Sequence, residues 1–325
     1  MEEKAEIVAR GVRALARAVV AGAALALASE VSFAAQSSQP IAAPFPAPAA
    51  APIATSTAAP PQPAPVIAKR AAPPADCGET PDGFVAWLDG FKQEAETAGL
   101  PPAVIDSALS NVAYDPDVIA HDRRQGSFGQ DFETFAAKRV TAYRVRKGRQ
   151  MLIAYAEPLE KIEKRFGVPR PVLVAIWGLE TEFGAGLGNY RTFSTLATLA
   201  YDCRRADLFR EELVDALKLV VRGDMQPEEM RGAWAGEIGQ TQFMPSTYLK
   251  YATSADGGAI ADLVGSSEDA LASTANFLKA KGWKRGQGFH EGEPNYAALL
   301  EWNAAPVYAK TITLFADRLA ESDAQ

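Results

Sequence analysis

Histidine is scarce in this sequence: the 325 residues contain two, His121 and His290. Each is isolated, and neither belongs to an HExxH pattern or to a mixed Cys/His cluster. Zinc sites and Ser-His-Asp triads both depend on imidazoles that act together with other side chains. The sequence offers little material for either kind of site, and we predict no metal site and no cofactor.

Cysteine is equally scarce, with two residues, Cys77 and Cys203, far apart in the chain. In an oxidising compartment such a pair can form a disulfide. Sequence alone does not show that the two side chains meet, and a disulfide needs closely spaced Cα atoms. The sequence therefore leaves two alternatives open, a disulfide and two free thiols.

Basic charge is also limited. Lys and Arg total 33 against 40 Asp and Glu, which gives a net charge of −7. Nonspecific nucleic-acid binding requires a basic stripe on the protein surface. We therefore predict no nucleic-acid partner.

Residues 1–35 have the pattern of a signal peptide. Basic residues precede the apolar stretch AVVAGAALALA, and the small residues of SFAA follow it. The apolar stretch is short for a transmembrane helix, so we predict export and cleavage after Ala34 or Ala35, with an uncleaved membrane anchor as the alternative. Residues 36–76 are mostly Ala and Pro, which favours a disordered, extended linker. The folded part is then expected over residues 77–325.

Strand patterns are almost absent from this folded part, whereas helical periodicity begins at Phe84. In the segment FVAWLDGFKQEAETAGL, the apolar residues Phe84, Trp87, Leu88 and Phe91 recur at helical spacing. Several later segments start with Pro or end with Gly, as helices commonly do. We therefore predict a mainly α fold.

One carboxylate interrupts an apolar helix. In PVLVAIWGLETEFG, residues 171–179 carry no charge, and Glu180 follows while the helical pattern continues. On a helix Glu180 shares a face with Leu173, Ile176 and Trp177. Poor solvation there raises the pKa of a carboxyl group, and a protonated carboxylic acid can donate to a departing glycosidic oxygen. The alternative is that Glu180 merely follows a buried stripe and reaches solvent.

The order and spacing of five blocks resembles the membrane-bound lytic murein transglycosylase B family over about residues 84–320. The blocks are WGLETEFG, ATLAYDCRRADLF, GAWAGEIGQTQFMPSTY, ALASTANFLKAKGW and EWNAAPVYAKTI. The resemblance implies a lysozyme-like catalytic core with an additional N-terminal helical region. On this basis we assign residues 77–157 to the helical region, 158–290 to the core and 291–325 to C-terminal helices that close the cleft.

The resemblance also implies an activity. The family cuts the MurNAc-GlcNAc β-1,4 bond of peptidoglycan and closes a 1,6-anhydro ring, with one Glu, here Glu180, as acid and then base. It implies a periplasmic, monomeric enzyme whose partners are glycan strands and, as a further possibility, proteins of cell-wall synthesis or division. Two alternatives stay open: a muramidase that uses water, and a peptidoglycan-binding scaffold without catalysis.

By the same resemblance, further residues are expected to bind the glycan. They are Gln242 beside the acid, Arg204 and Arg205 facing the substrate, and Trp302, Asn303 and Tyr308 completing the cleft. At three more positions the chain departs from the family, with Phe135 and Phe277 in place of Tyr and Ala233 in place of Ser. An alternative for Arg204 and Arg205 is ion pairing with Asp202 or Asp207.

Two other departures concern carboxylates. Glu237 stands where the family usually has a small residue; it is either a second catalytic carboxylate or a solvated substitution at the groove edge, and we predict the latter. The family often has a calcium loop at the segment that reads TSADGGAIADL here. Asp256 and Asp262 supply too few oxygen ligands for such a loop, so we predict no calcium.

Overall fold

The computed structural model describes residues 76–124 and 131–321. The predicted signal peptide, and the predicted linker except for Asp76, lie outside the described residues. Within those that are described, helices are the main secondary structure and strands are few, and the prediction of a mainly α fold is confirmed. No helix of this described part is both long and apolar enough to span a membrane.

A short 3-10 turn over Pro81–Gly83 leads into the first α-helix. The helices are α1 (Phe84–Thr97), α2 (Pro102–Leu109), α3 (Pro116–Arg123), α4 (Phe132–Arg139), α5 (Ala142–Ala154), α6 (Ala156–Phe166), α7 (Arg170–Thr181), α8 (Thr192–Tyr201), α9 (Ala206–Arg222), α10 (Pro245–Tyr251), α11 (Ser267–Ala280), α12 (Tyr296–Trp302) and α13 (Pro306–Ala320). Two short strands, β1 (Tyr190–Arg191) and β2 (Arg231–Gly232), pair antiparallel with Tyr190 opposite Gly232.

Helix α7 lies at the centre of the fold. It starts after Pro169, and Pro171 occupies its first turn, where the N–H that proline lacks has no intrahelical partner to lose. Residues 172–178 are all buried, in agreement with their all-round hydrophobicity. Helices α5, α6, α11 and α13 pack against α7. The helix thus runs through the core and brings Glu180 to its last turn.

Gly178 allows α7 and α13 to approach closely. A Cβ atom at this position would lie 2.7 Å from the ring of Phe183 and 2.9 Å from the ring of Phe315. Both rings are buried, so neither has free space to move into. Because α13 also carries Tyr308, this close approach brings Tyr308 towards the end of α7.

A disulfide joins Cys77 to Cys203, with a Cα–Cα distance of 5.0 Å. The alternative of two free thiols is therefore excluded for this structure. Next to the disulfide, the Gly78 N–H donates to the Tyr201 carbonyl at 2.9 Å. The Tyr201 ring packs edge-on against Phe84 with centroids 5.6 Å apart. These contacts fasten the start of the described chain and helix α1 to the end of α8.

Candidate active site

Glu180 lies in the last turn of α7, at a pocket of about 260 Å³. The pocket lies where α7, the loop before α10, helix α11 and the end of α12 meet. Of the residues selected from the sequence, it is lined by Glu180, Glu237, Gln242, Phe277, Trp302 and Asn303. Sequence reasoning missed other lining residues, among them Thr247 and Glu301.

The backbone turn after α7 holds Glu180 in place. Glu182 and Phe183 adopt left-handed conformations with φ of 53° and 63°, which non-glycine residues rarely do. The turn sends the Phe183 ring back against Trp177, edge-on at 5.7 Å. The Thr181 hydroxyl donates to the Gln240 carbonyl at 2.5 Å. The segment that carries Glu180 is therefore anchored on both sides of the carboxyl group.

Two donors converge on one oxygen of Glu180. The Tyr308 hydroxyl donates to Oε1 at 2.8 Å, and the Trp302 indole N–H donates to the same atom at 3.0 Å. Asn303 shapes the turn between α12 and α13, because its Oδ1 accepts the N–H of Ala305 at 3.0 Å. No described residue bonds to Oε2 of Glu180. Oε2 is thus the oxygen left to carry a proton.

Burial raises the pKa of Glu180 to about 7. Desolvation of the charged form is the largest cause, and the hydrogen bonds from Trp302 and Tyr308 oppose it because they stabilise the carboxylate. The negative charge of Glu237 raises the pKa further. A carboxyl group with such a pKa exchanges its proton near neutral pH, which is the property that general acid and base catalysis requires.

Glu237 shares this pocket, and the prediction that it is solvated at the groove edge is wrong. Its side chain is half-buried, and burial raises its pKa. One carboxylate oxygen accepts the N–H of Ala235 at 3.1 Å. The loop from Gly232 to Ile238 folds back on itself, and the Ala233 N–H donates to the Glu237 carbonyl at 3.1 Å. This backbone path turns the carboxyl group inwards.

Arg204 and Arg205 do not line the pocket. Both guanidinium groups are paired with Asp122, which is 1% exposed; the Arg204 Nη1–Asp122 Oδ2 distance is 2.5 Å. Ion pairing was the alternative left open for these arginines, but the predicted partners, Asp202 and Asp207, were wrong. Asp202 instead accepts the backbone N–H of Arg204 at 2.9 Å. Sequence reasoning missed Asp122 because it lies 82 residues from Arg204, with no local signal.

The remaining predicted residues have different positions. The Phe135 ring is 1% exposed and packs edge-on against Tyr308 at 6.3 Å, so the predicted direct contact with a sugar is wrong and the ring supports Tyr308. Phe277 lines the pocket and packs edge-on against Trp302 at 5.3 Å. Ala233 is not among the residues that line the pocket. Gln242 lines it, and its amide N donates to the Gly239 carbonyl at 2.9 Å.

Metal ligands are not clustered in the described part of the chain: no group of three or more His, Cys, Asp or Glu there is arranged to hold a metal ion.

The Glu180→Gln substitution is expected to stabilise the fold above neutral pH. In the folded protein the pKa of Glu180 is about 7, against an ordinary value of 4.5. Since the folded state binds this proton more tightly, stability falls as pH rises from about 4.5 to 7. We expect the variant to gain roughly 2–3 kcal/mol at pH 8 and little at pH 4. Urea denaturation at both pH values measures this, and an equal change at both would contradict it.

Comparisons with known proteins identify relatives of this chain. Residues 83–292 match the family model described as Transglycosylase SLT domain. Membrane-bound lytic murein transglycosylase B of Escherichia coli (strain K12) is 35% identical over 153 residues, which are 47% of this chain and 42% of that protein. The chain thus matches less than half the length of this curated relative.

Solved structures share the fold. SltB3 from Pseudomonas aeruginosa, in complex with NAG-anhNAM-pentapeptide, matches with a TM-score of 0.69 and 31% identity over 74% of this chain and 80% of SltB3. The Escherichia coli lytic transglycosylase Slt35, in complex with bulgecin A, matches with a TM-score of 0.64 and 23% identity over 72% of this chain and 92% of Slt35. At that identity the second match supports the fold alone.

The predicted lysozyme-like fold class is confirmed by these matches. The family model spans more than half of the chain, and four of the five sequence blocks that carried the resemblance contribute residues to the pocket, all except ATLAYDCRRADLF. The chain therefore belongs to the transglycosylase SLT domain family, as a relative of membrane-bound lytic murein transglycosylase B.

Proposed function

We propose that this protein is a lytic transglycosylase that cleaves the MurNAc-GlcNAc β-1,4 bond of peptidoglycan without water and leaves 1,6-anhydroMurNAc ends. The observation that carries the proposal is Glu180, a carboxyl group with a pKa of about 7 at a pocket. The SltB3 complex with NAG-anhNAM-pentapeptide supports the substrate class, because that ligand contains an anhydro muramic sugar.

In the first step, Glu180 acts as a general acid. Its Oε2 proton passes to the glycosidic oxygen as the bond from that oxygen to C1 of MurNAc breaks. The substrate's 2-acetamido group stabilises the cationic centre at C1. Glu180 becomes a carboxylate, and the donors Tyr308 and Trp302, already bonded to Oε1, stabilise the new charge without further rearrangement.

In the second step, the same carboxylate acts as a base. It takes the proton of the sugar's C6 hydroxyl while that oxygen bonds to C1, which closes the 1,6-anhydro ring and restores the acid. The proton that Glu180 gives to the departing sugar is thus replaced by the proton of the MurNAc C6 hydroxyl. One carboxyl group suffices for both steps, and its pKa of about 7 suits donation and acceptance equally.

The pocket lining suits a polysaccharide. Trp302 and Phe277 supply aromatic surface for sugar faces, while Gln242 and Asn303 supply amides for hydroxyl and acetamido groups. Among the described residues none donates to the Gln242 side-chain oxygen, which leaves that oxygen as an acceptor for the substrate. Arg204 and Arg205 are 36% and 32% exposed while paired with Asp122, so their outer edges remain open to an anionic peptide stem.

A muramidase that uses water is the second candidate, and the specific observation in its favour is Glu237 in the same pocket. The two reactions give products that differ by one water. Purified sacculi digested with the protein and analysed by mass spectrometry are expected to release anhydro muropeptides. Products one water heavier would favour the muramidase. No release at all would favour a scaffold without catalysis, the alternative suggested by the departures from the family at Ala233, Phe135 and Phe277.

We infer that the protein acts in the periplasm, on glycan strands. The Cys77–Cys203 disulfide supports an oxidising compartment, and the curated relative is named as membrane-bound. A monomeric state and contacts with proteins of cell-wall synthesis or division follow from the family resemblance and remain proposals.

Removal of the Tyr308 hydroxyl is expected to slow the reaction and to move its pH dependence. A hydrogen bond to a charged group contributes about 1.5–3 kcal/mol, so Tyr308→Phe is expected to lower kcat roughly tenfold or more. Because this bond lowers the pKa of Glu180, its loss moves the alkaline limb of the rate profile to higher pH. Steady-state rates from pH 5 to 9 measure both effects.

A matched control is Tyr296→Phe. Tyr296 and Tyr308 are both 8% exposed, but the Tyr296 hydroxyl donates to the Pro306 carbonyl at 3.3 Å rather than to Glu180. We expect the alkaline limb of the rate profile to lie at the same pH in this variant as in wild type. If both variants move the limb equally, the Tyr308 bond is not the cause.

A further inference from the structure

Glu237 is a second carboxyl group at the catalytic pocket, and its backbone is tightly held. Gly232 and Ile238 form an antiparallel bridge across the loop, and a Cβ atom at Gly232 would lie 1.7 Å from the Glu237 carbonyl oxygen. The Ala235 N–H fixes one side-chain oxygen at 3.1 Å. The Glu237 backbone is therefore held against Gly232, and its carboxyl group lies in the same pocket as Glu180.

No described residue forms an ion pair with Glu237. Arg205 is a nearby cation, and its charge lowers the pKa of Glu237, but its guanidinium donates to the buried Asp122. Glu212 is a nearby anion, and both of its oxygens accept hydrogen bonds from Ser246, at 2.6 Å and 2.9 Å. Neither neighbour neutralises the Glu237 carboxylate.

The other charged groups around Glu180 are also accounted for. Glu301 lines the pocket but is paired with Lys281 at 2.6 Å. The positive charges of Arg139 and Arg144 act on Tyr308, whose pKa they lower. Glu237 is thus the uncompensated charge that acts on Glu180 from across the pocket.

We propose that Glu237 is a positioning residue, whose fixed carboxylate disfavours the ionised form of Glu180 and so keeps the catalytic proton in place at neutral pH. Two like charges in a poorly hydrated pocket resist simultaneous ionisation, so the pair retains one proton over a wider pH range than isolated carboxyl groups would. The expected effect of Glu237 on reaction rates rests on the proposed function. Its expected effect on the protonation of Glu180 does not.

The test is Glu237→Gln, which removes the charge and keeps an oxygen for the Ala235 N–H. We expect the alkaline limb of kcat/KM for anhydro muropeptide release to move to lower pH. The rate at pH 8 is expected to fall roughly three- to tenfold relative to wild type, and the rate at pH 5 to stay within about twofold. Glu237→Asp, which keeps the charge, is expected to retain most of the wild-type profile. If the glutamine variant does not fold, Glu237→Ala removes the same charge.

A control variant and a second measurement distinguish a specific effect of Glu237 on Glu180 from a general effect of net charge. Glu228→Gln makes the same chemical change at an exposed position in the loop before β2, and it is expected to leave the limb unmoved. Carbon-13 NMR titration of Glu180, assigned with Glu180→Gln, reports its pKa even if the protein proves inactive on sacculi. We expect that pKa to be lower in Glu237→Gln.

Three outcomes would overturn the proposal. The first is an unchanged Glu180 titration in Glu237→Gln. The second is an equal shift in Glu228→Gln, which would assign the effect to net charge. The third is a change in the ratio of hydrated to anhydro products, which would make Glu237 a residue that contacts the reacting water. Failure of the proposed function is a separate result, namely no anhydro release by the wild-type protein.

Discussion

Glu180→Gln is expected to lower the release of anhydro muropeptides from sacculi by roughly 10²–10⁴-fold. Glutamine has nearly the same shape and can still accept hydrogen bonds from Trp302 and Tyr308, but it can neither donate the acid proton nor take one back. Both proposed steps are therefore lost together. Release rates from purified sacculi, with products identified by mass, measure the loss.

Glu182→Gln is the matched control for this result. Glu182 lies two residues further along the same motif, but its carboxylate pairs with Arg144 instead of lining the pocket. We expect this variant to keep the wild-type rate within a few-fold. If Glu180→Gln released anhydro products as fast as wild type, the acid would have to be sought elsewhere, with Glu237 the next residue to test.

Loss of the disulfide is expected to have the largest effect on stability. The bond between Cys77 and Cys203 closes a loop with a sequence separation of 126 residues, and constraint of the unfolded chain grows with loop length. Replacing both cysteines by serine is expected to lower the free energy of unfolding by about 2–5 kcal/mol. Urea denaturation at neutral pH without reductant measures the change.

Wild type treated with a reductant supplies the control for the disulfide prediction. If the bond is the cause, reduced wild type and the double serine variant lose similar stability, and reductant has no further effect on the variant. A loss below about 1 kcal/mol in the double variant would mean that the Gly78–Tyr201 hydrogen bond and the packing of Phe84 hold this region without the disulfide.

The sequence could identify Glu180 because a charge that interrupts an apolar helix is a local pattern. The helix itself followed from the uncharged residues 171–179, and residues 172–178 are buried as their composition predicts. Trp302 and Tyr308 were reached by resemblance alone, since they lie 122 and 128 residues from Glu180. The packing of α13 against α7 brings Tyr308 to the Glu180 carboxyl group, and Trp302 reaches it from the end of α12.

The wrong predictions for Arg204, Arg205, Glu237 and Phe135 have one physical source. Each depends on tertiary packing between distant residues, which leaves no pattern in the local sequence. Asp122 sits in a helix of mixed polarity, and nothing near it indicates that it is buried under Arg204 and Arg205. Glu237 was predicted to be solvated because spacing in the sequence cannot establish how far apart two carboxyl groups lie, whereas in the structure its side chain lines the pocket beside Glu180. An aromatic ring such as that of Phe135 can stack on a sugar, but this ring is buried like a core residue and no sugar can reach it.

The titration of Glu180 in the free protein tests the central claim most directly. Carbon-13 NMR of glutamate-labelled protein, with Glu180 assigned from its glutamine variant, follows the carboxyl carbon through the pH range. We expect a midpoint near 7, as burial at the pocket requires. A midpoint near the ordinary value of 4.5 would mean a well-hydrated carboxylate that holds no proton at neutral pH, and it would contradict the mechanism proposed for this site.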